Sequence, residues 1–297
     1  MQKRLAFLVA AVSASFIGHA QANELTGTLK KIKDSGSITV GHRESSIPFS
    51  YLDDAQKPIG YAMDLCWKVV DAVKKELKLP NLAVKLNPVT SQTRIPLITN
   101  GTVDIECGST TNSKERQKQV AFGVSTYVTS VRMLTKADSG VKTLDDLNGK
   151  AVVTTTGTTS DRYIKQNEKG HNIDVKNVYG KDHAESFLMV ESGRAVAFVM
   201  DDVLLAGLIA NSKSPKDFMI AGPALSVEPY GIMIRKDDPQ FKKLVDDTLI
   251  GLMKSGEVEK IYNKWFTQPI PPKNINLNLP MSPQLKEAIK NPNDNGV

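Results

Sequence analysis

Strand-length apolar runs alternate with helix-length amphipathic stretches along most of this chain, and that alternation admits few folds besides α/β sheets, mostly parallel, with helices as connections. Residues 37–41 predict a first strand. After a turn-rich stretch holding Asp53, Asp54 and Pro58, residues 62–79 place Leu65, Val69, Val73 and Leu77 at fourfold spacing, as an amphipathic helix requires. A second strand is predicted over 83–89, a short helix over 94–100 stopped by Gly101, and a third strand over 102–107. The strand predicted over 127–134 runs into the polar residues 136–140, which read as the entrance to a second lobe. There follow a short helix over 143–147, a strand over 151–156, a helix over 160–166, a strand near Val175, a helix over 184–191 and an apolar strand over 195–200 that stops at Asp201 and Asp202. Beyond Pro223 the pattern gives a strand over 230–235 and a long helix over 239–254, with Phe241, Leu244, Thr248 and Leu252 along one side. Pro269, Pro271 and Pro272 predict the end of regular structure and a loosely packed polar tail.

The N-terminus carries Lys3 and Arg4, an apolar run over residues 5–18, and then Ala20, Gln21 and Ala22. This is the layout of an export signal, expected over residues 1–22 with cleavage after Ala22. The run is shorter than the ~18 or more apolar residues of a membrane anchor. Removing 22 of 297 residues leaves 275, more than one hydrophobic core usually supports, so two lobes are expected. The formal charge of +6 falls by two with the loss of Lys3 and Arg4, and the remaining basic residues alternate with acidic ones, as over 254–264. That is a solvated helix face, unlike the clustered basic and aromatic surface that reads nucleic acid.

Two cysteines, Cys66 and Cys107, are too few for a metal centre and suit an oxidising compartment. A disulfide or a buried thiol is expected, and no His stands near Cys107 to make it a catalytic nucleophile. No Walker or dinucleotide glycine pattern occurs, and no cofactor or metal is expected.

Three short segments carry chemistry. Gly157, Thr158, Thr159 and Ser160 follow a predicted strand and open a helix, so they read either as a plain helix cap or as an anion-receiving turn. Ser109, Thr110, Thr111 and Asn112 follow the third strand with Arg116 five residues beyond Thr111. This is a carboxylate clamp or, alternatively, a solvent-facing turn with a surface arginine. Asp201, at the carboxyl end of an apolar strand, is placed to accept from an ammonium group or to cap a helix.

Taken in order, the segments over 108–112 and 115–116, the run 146–150 before a strand, the turn 157–159 and a C-terminal helix ending Asn263, Lys264, Trp265 and Phe266 resemble the extracellular solute-binding proteins of polar amino acid ABC transporters, over essentially the whole mature chain. The segments 41–46, 90–96 and 181–183 are similar to those of the glutamate/aspartate-binding members. The resemblance implies an α/β fold of the type II periplasmic-binding-protein kind: residues 23–134 and 229–297 in one lobe, 135–228 in the other, two crossover strands with hinges near Leu134 and Pro229, and a ligand held in the cleft. It implies that Arg116 clamps the α-carboxylate with Ser109, Thr111 and Thr159, that Asp201 pairs with the α-ammonium, and that Arg43, Arg94 and His183, with Ser91 nearby, hold the side-chain carboxylate, His183 as a hydrogen-bond donor. L-Glutamate or L-aspartate, membrane permease subunits, a periplasmic location and a monomer without catalysis are the corresponding expectations. Three arginines against one aspartate suit an acidic ligand, because every charge in a closed cleft needs a partner. An enzyme of the same fold, such as a periplasmic dehydratase of carboxylated molecules, is the alternative, with His183 or Glu106 as general acid or base.

Overall fold

The computed structural model describes residues 24–297, so the signal expected over 1–22 lies outside them. Two five-stranded sheets organise the chain. In the first, the strands Ser37–His42, Ala83–Pro88 and Ile105–Cys107 run parallel, with Ser37–His42 between the other two. Helix Tyr61–Leu77 connects the first two of these and buries Leu65, Val69, Val73 and Leu77, the stripe its fourfold spacing predicts. The strand Met233–Arg235 joins this sheet from far along the chain and lies antiparallel between Ile105–Cys107 and Val120–Phe122.

The second sheet repeats the arrangement. Ala151–Thr155 lies between its parallel neighbours Lys176–Gly180 and Ala197–Asp201, and Val131–Lys136 pairs antiparallel with Ala197–Asp201 on one side and Phe218–Ala221 on the other. The single strand predicted over 127–134 is therefore two. Tyr127–Thr129 pairs antiparallel with Glu228–Tyr230, and this two-stranded ribbon carries the chain between the sheets, whereas Val131–Lys136 already belongs to the second. A lobe boundary after Leu134 would cut that strand in half; the change of sheet comes at Ser130. Likewise the strand predicted over 230–235 is divided between the ribbon and the first sheet. The breaks fall at short interruptions of the apolar pattern, Thr129 and Ser130 in the first case and Gly231 in the second, inside stretches that are otherwise extended and mostly buried.

Helix Pro239–Lys254 forms over the predicted residues, but its buried side is Phe241, Val245, Leu249 and Met253 rather than Leu244, Thr248 and Leu252. Both stripes begin at Phe241, and the fourfold step from it that keeps apolar residues throughout is the one that meets the core. Regular structure also continues past the prolines, correcting the expectation of a loose tail. Helix Pro283–Lys290 is capped by Ser282, which accepts from Leu285 N at 3.1 Å, and it buries Leu285. Residues beyond it dock firmly: Lys114 N donates to Val297 O at 2.9 Å, Val297 N to Asn112 O at 3.2 Å, and Asn112 Nδ2 and Gln117 Nε2 both donate to Asp294 O at 2.8 and 3.0 Å.

Under the ribbon, Phe49, Tyr61, Tyr127, Tyr230, Tyr262 and Phe266 form a continuous aromatic cluster with ring centroids 4.3–6.4 Å apart. It seats both crossover strands on the first lobe. Cys66 and Cys107 are disulfide-bonded, linking helix Tyr61–Leu77 to strand Ile105–Cys107 across a sequence separation of 41 residues. A crosslink closing a loop of that length contributes about 4 kcal/mol in the chain-entropy account. The Cys66→Ser/Cys107→Ser variant is accordingly expected to melt roughly 8–15 °C lower by calorimetry. An unchanged melting temperature would show the bond to be idle.

Candidate functional site

The site is built at the carboxyl ends of parallel strands, where open α/β sheets leave a crevice. In the first lobe, Ser37–His42 delivers Arg43, Ala83–Pro88 leads to Ser91 and to Arg94 at the start of helix Arg94–Thr99, and Ile105–Cys107 delivers Ser109 and Thr111. In the second, Ala151–Thr155 leads to Thr159, Lys176–Gly180 to His183, and Ala197–Asp201 ends on Asp201. Eight of the nine expected residues, Ser91, Arg94, Ser109, Thr111, Arg116, Thr159, His183 and Asp201, wall one small, tightly closed-down hollow between the lobes, together with Thr158 and Met200. Arg43 stands behind this wall, wholly buried, against His183.

Arg116 is held on the short helix Lys114–Gln117, capped by Ser113. Its Nη1 donates to Thr111 O at 2.9 Å and its Nη2 crosses to Gly157 O at 3.2 Å. It is therefore not a surface arginine. Burial pushes its pKa down, opposed by the charges of Glu228, Asp201 and Glu106. Gly157 allows this crossing: it sits at φ +82°, and a Cβ there would lie 2.7 Å from the backbone of Gln92 in the other lobe. Arg94 donates from Nη1 to Ser109 O at 3.3 Å and to Thr110 Oγ1 at 2.6 Å, and Thr110 in turn donates to Glu106 Oε2 at 2.7 Å. Burial, then the like charge of Arg116, brings the Arg94 pKa down to about 9.

His183 occupies the centre of a directed hydrogen-bond chain. Arg43 Nη2, which can only donate, lies 3.4 Å from His183 Nε2; His183 Nδ1 is 2.9 Å from Thr155 Oγ1; Thr155 Oγ1 is 2.8 Å from Ser186 Oγ; and Ser186 donates to Asp182 O at 3.0 Å. With a donor-only group at one end and a carbonyl at the other, every proton points the same way, so Nδ1 carries the ring proton and Nε2 accepts. Burial and the Arg43 charge hold the imidazole near pKa 3, which keeps it neutral. His183 thus accepts from Arg43 through Nε2 and donates through Nδ1 to Thr155.

Several buried polar atoms in and behind the wall have no protein partner: Ser91 Oγ, Ser109 Oγ, Arg94 Nε, Arg43 Nε and Nη1, and Asp201 Oδ1. Leaving such groups unpaired costs about 1–3 kcal/mol each, so their convergence marks a place built to receive a polar molecule. The other Asp201 oxygen, Oδ2, accepts from Tyr230 OH, and burial together with the Glu228 charge pushes the Asp201 carboxyl up to about 8. Asp201 also stands at the N-cap of helix Asp202–Asn211 without a side-chain cap bond, which leaves its carboxylate for the cleft.

Two of the acids behind the arginines, Asp182 and Glu228, lie outside the expected set, and Glu106 is expected only as a general acid or base. Asp182 lies 3.5 Å from Arg43 Nη2 and accepts from Ser45 Oγ at 2.5 Å across the lobes. Glu106 and Glu228 are buried beside the cleft as well. The count of three arginines against one aspartate therefore does not describe the cleft. Of the three acids, only Glu106 stands inside a predicted strand, where a carboxylate needs a buried partner.

A hollow closed between two such sheets, crossed by a two-stranded ribbon and walled by groups that want a small polar molecule, defines a two-lobed solute-binding protein. The chain belongs to the bacterial extracellular solute-binding proteins, family 3, whose family profile matches residues 38–268. It is 57% identical over 286 residues to the L-glutamate/L-aspartate-binding protein of Pseudomonas aeruginosa, covering 96% of this chain and 95% of that one. It is 51% identical to the glutamate/aspartate import solute-binding protein of Escherichia coli, covering 98% and 97%. The crystal structure of a mutant of ArgBP from T. maritima superposes with a TM-score of 0.71 at 27% identity, covering 80% of this chain and 99% of that one. The type II periplasmic-binding-protein fold is thereby established. These relatives are solute-binding proteins by name, and the dehydratase reading finds no support among them.

Proposed function

We propose that this protein captures L-glutamate or L-aspartate in the periplasm, as a monomer, and delivers it to the permease subunits of an ABC transporter. The observation that carries the reading is the convergence of Arg94, Arg116 and Asp201, with free polar atoms around them, on one closed hollow. The names of the 51–57% identical relatives support the same ligands. Arg116 takes the α-carboxylate with Ser109, Asp201 takes the α-ammonium, and Arg94 with Ser91 takes the side-chain carboxylate, while Arg43 acts from behind through His183. The acids around the arginines keep the cleft near neutrality before the ligand enters, so that a ligand with one net negative charge is favoured by local geometry rather than by bulk attraction. Glutamate and aspartate differ by one methylene, worth about 1–3 kcal/mol in a fitted pocket.

Isothermal titration of the ligand-free mature protein with an amino acid panel tests this. One equivalent of L-glutamate or L-aspartate should bind, and saturation at a hundredfold the Kd should stabilise the fold by about 2.7 kcal/mol. Arginine and apolar amino acids should give no heat. Absence of binding by both acidic amino acids would end the proposal.

A further inference from the structure

Glu228 lies on the returning crossover strand, is wholly buried, and had no place in the expected ligand set. Its Oε2 accepts the hydroxyl of Thr111 from the first lobe and, at 2.8 Å, the hydroxyl of Thr159 from the second, while Oε1 accepts from Ser226 Oγ at 3.2 Å. A hydroxyl has one proton. Thr111 and Thr159 each commit theirs to Glu228, and what remains of either hydroxyl for the hollow they both wall is an acceptor lone pair. Neither hydroxyl can then donate to a carboxylate, the role the sequence resemblance implied. Two acceptor hydroxyls and the acceptor oxygen of Asp201 that lacks a protein partner together make an end of the hollow that receives a cation.

We infer that Glu228 is a positioning residue of the ammonium end of this site, fixing the hydroxyls of Thr111 and Thr159 as acceptors and, beside Asp201, selecting ligands that carry a positive charge there. This rests on the proposal that the ligand is an α-amino acid. The environment of Asp201 agrees with it: burial first, then the charge of Glu228, raise its carboxyl, with Asp202 adding to the effect and the Tyr230 hydroxyl and Arg116 opposing it. An arriving ammonium relieves the repulsion between the two acids. The same arrangement makes the Thr111–Glu228–Thr159 bridge a contact between lobes, so a role in closure alone must be distinguished from a role in recognition.

Glutarate makes that distinction, because it has the two carboxylates of L-glutamate and no ammonium. Wild-type protein that fails to bind L-glutamate refutes the proposed function, not this inference. Given wild-type binding, Glu228→Gln keeps an oxygen able to accept from both hydroxyls but removes the charge; it should weaken L-glutamate at least tenfold and leave glutarate unchanged or tighter. Thr159→Val, nearly isosteric, removes one acceptor and should also weaken L-glutamate selectively. An equal loss for both ligands would reduce Glu228 to a tie between lobes, and unchanged L-glutamate binding would overturn the inference outright. If glutarate binds too weakly to measure in any form, the Asp201 carboxyl resonance in ligand-free protein decides: its midpoint should fall in Glu228→Gln, and an unmoved midpoint rejects the role.

Discussion

Arg116→Met is expected to abolish measurable binding of glutamate, aspartate and glutamine alike. The guanidinium is buried, spans the lobes from Thr111 O to Gly157 O, and faces Glu228 and Asp201. Every α-amino acid brings the same α-carboxylate to it. Without it that carboxylate enters a water-excluding hollow with no counter-ion, at a cost of about 3–5 kcal/mol, or roughly 10²–10⁴-fold in affinity. Titration calorimetry reads this directly. Retention of any amino acid within tenfold of the wild-type affinity would remove Arg116 from the α-carboxylate.

Arg94→Met is expected to act on the ligand's other end, collapsing glutamate affinity by a similar ~10²–10⁴-fold while changing the weaker binding of glutamine much less. Glutamine places a neutral amide where glutamate places a carboxylate, so the ratio between the two should fall steeply. One complication is visible in the structure. Arg94 also neutralises Glu106 through Thr110, and its removal leaves that buried acid one cation poorer. The double variant Arg94→Met/Glu106→Gln relieves the orphaned charge and should melt higher than the single variant without recovering glutamate. If the double variant regains the wild-type preference, Arg94 serves Glu106 rather than the ligand. Arg43→Met should shift the ratio in the same direction by less, since Arg43 does not wall the hollow and reaches it through His183.

Much of this was legible in the sequence, for identifiable reasons. The fourfold stripe of helix Tyr61–Leu77 and the turn at Gly157 are local patterns, and local patterns survive folding. The positions of Ser91, Ser109, Thr159 and Asp201 at strand ends follow once the strands are placed. What was not legible depended on pairing at a distance. Only the short polar pair Thr129 and Ser130 divides residues 127–134 into a ribbon strand and a sheet strand, and two such residues fit within one extended strand as readily as between two. The direction of the His183 chain is set by Arg43 at one end and by Asp182 O at the other, and the Arg43 end cannot be assigned until the lobes meet. Glu228 sits between an exposed Val227 and a proline, a context that gives no hint that hydroxyls 117 and 69 residues away will converge on it.

The position of strand Met233–Arg235 sets an order on how the molecule can be made. It fills the gap between Ile105–Cys107 and Val120–Phe122, two strands that are synthesised more than a hundred residues earlier. Until it arrives, both present unpaired edges, the kind of surface that invites association with other chains. The second sheet, continuous from Val131 to Ala221, faces no such delay and can assemble while the first waits. A nascent or translocating chain therefore passes through a stage with one finished lobe and one split lobe, unable to bind and open to aggregation. The segment from Asn293 to Val297, which braces the loop of Thr111 and Arg116, closes that stage only after the split has been filled.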